Sequence, residues 1–348
     1  MTRSTVSELV VSRTLGPIGH LELNRPEKLN ALNLEMLSEL DVVLRRWADD
    51  PQIQLVVLTG RGERGFCAGG DIAAFHQAVT SGDHSAFLQL LELEFRIDHF
   101  LSVYPKPVLS IAHGITMGGG IGLASHAPVR VVTSDARMGM PEARIGYTPD
   151  VGGSHLLAMA PGHFGEYFAM TAASFTGADA PFLGFADVVI DPQAAAGLLD
   201  ELDDLVGLEP AQLISALELL HGSVPASALQ AEQGWIDHAF SAGTAEQVLQ
   251  RLDEMVHPKA AEAAAAIRAN SPTSVTSGFL AVRRAREEAL LRGALDRELR
   301  LADYLMYLPD LAEGIRAQVI DKDRNPAWEP DTLAAVDTAR LAEVVQRP

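Results

Sequence analysis

Apolar positions fall in two patterns along the chain. In the first half they form short unbroken runs: "QIQLVVLTG" (52–60), "KPVLSIAHG" (106–114) and "VRVVTS" (129–134). Runs of this length, rich in Val, Leu and Ile and ended by Gly or Ser, predict strands buried on both faces. The short β-rich runs "SELVVSR" and "GHLELN" flank "TLGPIG" (14–19), which predicts a hairpin. Between these runs the apolar period lengthens to that of a helix. "NALNLEMLSELDVVLRRWADD" (30–50) predicts one helix with Asn33 as its N-cap, and "HSAFLQLLELEFRIDHFLSVY" (84–104) a longer one stopped by Pro105.

The unit of apolar strand, glycine-rich turn and helix occurs twice, over 54–80 and 106–125. Strands alternating with helices predict an α/β layer architecture. From about Pro192 the strand runs fade, and Ala, Leu, Glu and Arg at helical spacing dominate. The expected organisation is an α/β core over 1–195 and a helical C-terminal region over 196–348 packed on it.

Glycine costs backbone entropy and adds no packing, so a cluster marks positive φ or a close approach. "HGITMGGGIGL" (113–123) holds five glycines, and "GRGERGFCAGGD" (60–71) is the other glycine turn. Two such turns leading into helices can aim two backbone N–H groups at one spot, the layout of an oxyanion hole. Two ordinary tight turns in an α/β core would read the same. Other glycine chemistries are excluded. Leu123 stands where a dinucleotide fingerprint from Gly118 needs a small residue, and neither G-x-x-x-x-G-K-[ST] nor G-x-S-x-G occurs.

Composition narrows the partners. With 348 residues, 47% of them apolar, the chain can bury a large core. A net charge of −19 argues against nucleic acid held by a general field. The single cysteine, Cys67, allows no internal disulfide and reads as a small buried hydrophobe. No apolar run approaches a membrane span, and a cytoplasmic protein is expected. No metal is expected either. The eleven histidines lack ligand spacing, and "DKDRNP" (321–326) puts Pro326 where a calcium loop needs glycine.

"FCAGGDI" (66–72), "GITMGGGIGL" (114–123) and "MPEARIGYTPDVGG" (140–153), in that order, resemble the enoyl-CoA hydratase/isomerase, or crotonase, superfamily. The resemblance implies a crotonase-like spiral of ββα units and an acyl-CoA substrate whose CoA is part of the substrate, with no separate cofactor. It places the oxyanion-hole donors at the Gly70 and Gly119 N–H groups. The family's hydratases carry two glutamates. The position of the first is Gly122 here, and the second is Glu142.

Asp150 stands eight residues beyond Glu142. Alone it reads as a turn residue after Pro149 rather than as a site residue. The pair Glu142 and Asp150 resembles the 3-hydroxyisobutyryl-CoA hydrolase branch of the family, which cleaves a thioester in valine breakdown. "ANSPTS" (269–274) and "EGIRAQVIDKDRNPAWEP" (313–330) resemble that branch's C-terminal half, so the likeness spans about 15–345. It implies Glu142 and Asp150 as catalytic carboxylates. Glu94, Gly119, Glu142 and Asp150 are the implied substrate contacts, although Glu94 could equally lie on a solvated helix face. In the family the segment carrying Arg25 and Lys28 borders the CoA groove. Arg283, Arg284, Arg286 and Arg292 are further candidate cations for the CoA phosphates, although most of them read as a solvated helix with i,i+4 ion pairs. The competing readings are an isomerase or atypical hydratase using Glu142 alone, and a non-catalytic acyl-CoA-binding protein. Homo-oligomerisation through the helical part is left open.

Overall fold

The computed structural model describes residues 4–6, 9–195, 197–222 and 226–347. The chain divides into two compact units, each assembled from three segments. The first comprises Met1–Gly70, Leu93–Met138 and Phe175–Ser227. The second comprises Asp71–Glu92, Gly139–Ser174 and Ala228–Pro348.

The first unit is built on strands β1 (Ser4–Val6), β2 (Val10–Leu15), β3 (Ile18–Leu23), β4 (Leu55–Gly60), β5 (Val108–Ala112), β6 (Ile115–Met117), β7 (Val129–Thr133), β8 (Arg137–Gly139), β9 (Ser174–Thr176) and β10 (Val188–Ile190). Seven of them form a sheet in the order β1-β2-β3-β4-β5-β7-β10, and β6-β8-β9 form a small second sheet. β2 and β3 are the expected hairpin, turned at Gly16 with φ +56°. Residues 7 and 8 of the run expected there lie outside the described residues. From β3 to β10 the large sheet is parallel. Every residue of β5 is buried, which is why its sequence shows no alternation. Ile18, Val57, Leu109, Val131 and Ile190 form one face of the core, closed by Leu213 and Leu217 of the helix Pro210–His221.

The helix Leu34–Asp49 begins where Asn33 Oδ1 accepts the Met36 N–H at 2.9 Å, a cap worth about 1 kcal/mol. It buries Met36, Leu40, Leu44 and Trp47 along one stripe. The Trp47 ring lies so close to Gly19 that a Cβ there would meet it at 2.7 Å.

The second unit is helical, and with it the C-terminal part of the chain is helical as expected. Its centre is the helix Pro272–Glu288, packed by Gly153–Met159, Phe164–Thr171, Leu291–Leu305 and Thr338–Gln346. The "ANSPTS" stretch starts this helix. Asn270 Nδ2 donates to the Met170 carbonyl at 3.0 Å, Ser271 Oγ accepts the Ser274 N–H at 3.1 Å, and Pro272 takes the first-turn position where a missing N–H costs nothing. Among the described residues no helix is long and apolar enough to cross a membrane.

The arginines of this helix divide by face. Arg284 pairs with Glu288 at 2.8 Å, and Arg292 reaches Asp296 at 3.8 Å on the next helix, both the expected i,i+4 pairs. Arg283 and Arg286 turn inward to Glu166, whose side chain is fully buried. Arg286 grips Glu166 with two bonds of 2.6 and 2.9 Å, and His163 Nδ1 lies 3.0 Å away. Burial alone would raise the Glu166 pKa, but the hydrogen bonds and charge of Arg286 hold it below the usual carboxylate range. Removing the carboxylate strands a guanidinium in a site made for its partner. Glu166→Ala is expected to lose about 3–5 kcal/mol in urea denaturation. Arg292→Ala should leave the midpoint where it is.

Candidate active site

In the first unit the two glycine turns lie backbone against backbone. Segment 64–67 runs beside 113–117, with hydrogen bonds from Phe66 N–H to His113 O, Cys67 N–H to Ile115 O and Met117 N–H to Cys67 O. A Cβ on Gly120 would sit 2.3 Å from the Cys67 carbonyl oxygen, and one on Gly65 2.4 Å from that of Ile115. Gly69 has φ +95°, and its missing Cβ would lie 3.3 Å from the Gly119 nitrogen. The two positions that the resemblance singled out, Gly70 and Gly119, are therefore brought together. Gly70 is also bridged to Leu32, and Gly119 opens the helix Gly119–Ser125, where the first N–H groups have no partner within the helix.

Glu94 reaches the same place from the helix His84–Ser102. It is 2% exposed, so the solvated-face alternative does not hold. Its Oε1 lies 2.1 Å from where a Gly119 Cβ would be, and among the described residues nothing hydrogen-bonds that oxygen. Burial pushes the carboxyl up to about 8, which favours its protonated form, the form that can donate a hydrogen bond. Asp98, one turn further along the helix, is also fully buried. Cys67 sits beneath the turns at 0% exposure, its thiol donating to the Asn30 carbonyl at 3.2 Å. Burial, with smaller contributions from Glu94 and Asp98 and against a hydrogen bond to Gly69, pushes this thiol up to about 12, so it is no nucleophile. Arg25 donates to the Ala31 carbonyl at 3.0 Å, and Lys28 is exposed.

In the second unit Glu142 and Asp150 occupy one buried segment, 7% and 6% exposed. Glu142 opens the single 3-10 turn Glu142–Ile145, ended by Gly146 at φ +75°. This turn is pressed on the helix Pro309–Ile315. A Cβ on Gly146 would be 2.1 Å from the Asp310 oxygen, and one on Gly314 2.4 Å from the Ile145 carbonyl carbon. The Ser271 N–H donates to the Ala143 carbonyl at 3.1 Å. Asp310 is itself fixed by Ser271 Oγ at 2.5 Å and the Glu329 N–H at 2.7 Å. Both C-terminal motifs, "ANSPTS" and "EGIRAQVID", thus brace the turn that carries Glu142.

Beyond Asp150 the chain passes through two left-handed residues, Val151 at φ +54° and Gly152 at φ +74°, into the helix Gly153–Met159. Gly152 has no side chain to cap that helix. Glu298, on the helix Leu291–Leu305 and fully buried, does so instead. Its carboxylate accepts the Gly152 N–H at 2.7 Å, the Ser154 N–H at 2.9 Å and the Ser154 hydroxyl at 2.6 Å. Burial pushes Glu298 up to about 7, against the pull of these donors and of Arg297. Nothing near residue 298 in the sequence announces this contact, which joins positions 144 and 146 residues apart. Among the described residues no three His, Cys, Asp or Glu side chains are grouped to hold a metal ion.

A largely parallel sheet whose strands feed glycine turns, with a helical C-terminal region, is the crotonase fold. The enoyl-CoA hydratase/isomerase family pattern matches residues 18–345, and the chain belongs to this family. It is 34% identical over 344 residues to the mitochondrial 3-hydroxyisobutyryl-CoA hydrolase of Danio rerio, covering 97% of this chain and 89% of that protein. The Homo sapiens protein of the same name is 34% identical over 337 residues, covering 95% and 86%. Among solved structures, a carnitinyl-CoA dehydratase from Mycobacterium thermoresistibile superposes with a TM-score of 0.90 at 37% identity, covering 98% of this chain and 97% of that one. An enoyl-CoA hydratase from Rhodobacter sphaeroides gives 0.90 at 38%, with the same coverage.

Two outcomes test this geometry. Gly120→Ala drives a methyl group into a backbone carbonyl and should abolish the soluble fold or cost several kcal/mol, about the scale of severe overpacking. Gly119→Ala meets only side-chain ends, Glu94 Oε1 and the Leu32 Cδ1 methyl at 3.1 Å, and should fold, as circular dichroism and denaturation would show. The second outcome concerns pH. The unfolded chain releases the Glu94 proton near 4.5 and the folded chain near 8. Between these values the native state binds more protons, so stability falls as pH rises across the window. Glu94→Gln should flatten that fall in urea midpoints measured from pH 5 to pH 8.5.

Proposed function

We propose that the chain hydrolyses the thioester of 3-hydroxyisobutyryl-CoA, or of a related short 3-hydroxyacyl-CoA, to the free hydroxy acid and CoA. The observation that carries this reading is the pair Glu142 and Asp150 on one buried, braced segment, with glycine at position 122. Relatives aligned over nearly the whole chain bear the hydrolase name, which supports it. Valine breakdown is the pathway that such a substrate suggests.

The Gly70 and Gly119 N–H groups are assigned to the thioester oxygen, where negative charge develops during attack. One donor of this kind contributes about 10²–10³ in rate. Glu142 takes one of two routes. Its carboxylate attacks the carbonyl carbon, the C–S bond breaks, CoA leaves as thiolate, and water opens the resulting anhydride. Alternatively it removes a proton from the water that attacks the carbonyl. Asp150 accepts a hydrogen bond from the 3-hydroxyl. Glu94, protonated, faces the acyl group beside Gly119.

A second reading has one observation behind it. Glu94 brings a carboxyl group to Gly119 although position 122 has none, so hydration with two carboxyl groups is chemically open. The two superposed structures described as a dehydratase and a hydratase point the same way.

Thiol release from 3-hydroxyisobutyryl-CoA, run beside crotonyl-CoA hydration, separates the two. Hydrolysis predicts rapid thiol release and slow hydration, and the reverse result overturns it. Glu142→Gln should lose about 10²–10⁴ of kcat, the scale of a general base. Asp150→Asn should lose most activity on the 3-hydroxyacyl thioester, and turnover at the wild-type rate would remove Asp150 from the reaction.

A further inference from the structure

The turn that presents Asp150 is held by a residue far along the chain. Val151 is β-branched, buried and left-handed, a conformation that costs about 1–3 kcal/mol and persists only where its surroundings impose it. The Asp150 carbonyl accepts the Gly153 N–H at 2.6 Å, closing the turn on one side. On the other side the Glu298 carboxylate clasps the Gly152 N–H with one oxygen and both donors of Ser154 with the other. The Gly153 backbone lies against the buried end of the Met140 side chain, whose methyl group would be 2.4 Å from a Cβ there. The direction of the Asp150 side chain follows from the backbone torsions on either side of it. Those on the far side are fixed by this clasp.

We infer that Glu298 is the positioning residue of the acyl-group site: by clasping Gly152 and Ser154 it sets Asp150 to recognise a hydroxyl group on carbon 3 of the acyl chain. The inference rests on the proposed role of Asp150. Glu298 touches no reacting atom and acts only through the turn. Its loss should therefore degrade choice between substrates, beyond any general loss of stability.

The test compares 3-hydroxyisobutyryl-CoA with isobutyryl-CoA, which lacks only the hydroxyl. The readout is the ratio of their kcat/KM values in full-length wild type, Asp150→Asn, Glu298→Ala, Glu298→Gln and the double variant Asp150→Asn/Glu298→Gln. Wild type should favour the hydroxyacyl thioester by about 10²-fold or more, because a site built to pair a hydroxyl rejects the analogue without it. Glu298→Ala should cut that ratio by about tenfold or more, the scale of a small misplacement at a site. Glu298→Gln keeps the volume and one acceptor oxygen but opposes an amide N–H to a backbone donor. It should fold even if Glu298→Ala does not, and lose an intermediate share of the ratio. In the Asp150→Asn background Glu298→Gln should remove no further selectivity. Equal loss on both substrates in folded Glu298→Gln, an unchanged ratio, or additive losses in the double variant would overturn the positioning role. A wild type without preference, or an Asp150→Asn variant that keeps it, would overturn the hydroxyl reading of Asp150 and this inference with it.

Discussion

The first unit depends on a contact in which no side chain takes part. Two stretches of backbone, one leaving β4 and one leaving β5, meet so closely that Gly65 and Gly120 have no space for a methyl group between them. The parallel pairing of β4 with β5 brings the ends of these strands side by side. The short ladder between 64–67 and 113–117 then carries that register past the sheet. Carbonyl and amide groups pair across the gap, so the approach leaves few buried polar groups unsatisfied. At Gly65 and Gly120 glycine is required for nearness, since both have ordinary φ values, whereas Gly69 also needs its positive φ.

Much of this was legible in the sequence, for physical reasons. Buried parallel strands read as unbroken apolar runs, and β4, β5 and β7 fall on them. Asn33 announces its helix because capping is a local interaction. The glycine clusters mark the close approach, and resemblance to the family supplied the positions within them. Long-range polar contacts left no such trace. Nothing around Arg283 and Arg286 separates them from Arg284 and Arg292, because side-chain direction on an arginine-rich helix is decided by what packs on it. Composition and spacing are silent about Glu298 for the same reason. Its partners are backbone N–H groups, which every residue has. Glu94 shows no local sign of burial either, since its helix carries polar and apolar residues on several faces.

For an acidic chain, the protein buries many carboxyl groups, and it satisfies each differently. Glu166 is neutralised by arginine. Asp310 is held by a hydroxyl and a backbone N–H, and Glu298 by two backbone N–H groups and a hydroxyl. Glu94, one oxygen of which has no partner among the described residues, is pushed by burial toward the protonated state. The first three fix the positions of elements. The fourth has hydrogen-bonding capacity to spare, and it is the one that lies beside Gly119.

Each unit is assembled from three separated stretches of chain, and this sets the order in which the protein can be made. As the polypeptide leaves the ribosome, the first unit lacks its last strand and covering helix until about residue 227 has emerged. The stretch Asp71–Glu92, synthesised early, belongs with Gly139–Ser174 and with Ala228–Pro348, the latter more than a hundred residues further along the chain. Its apolar face, including Phe75 and Phe87, must wait exposed in the meantime. Nascent chains stalled in this interval should be the form most prone to capture by chaperones, and no contiguous fragment of the sequence corresponds to either folded half.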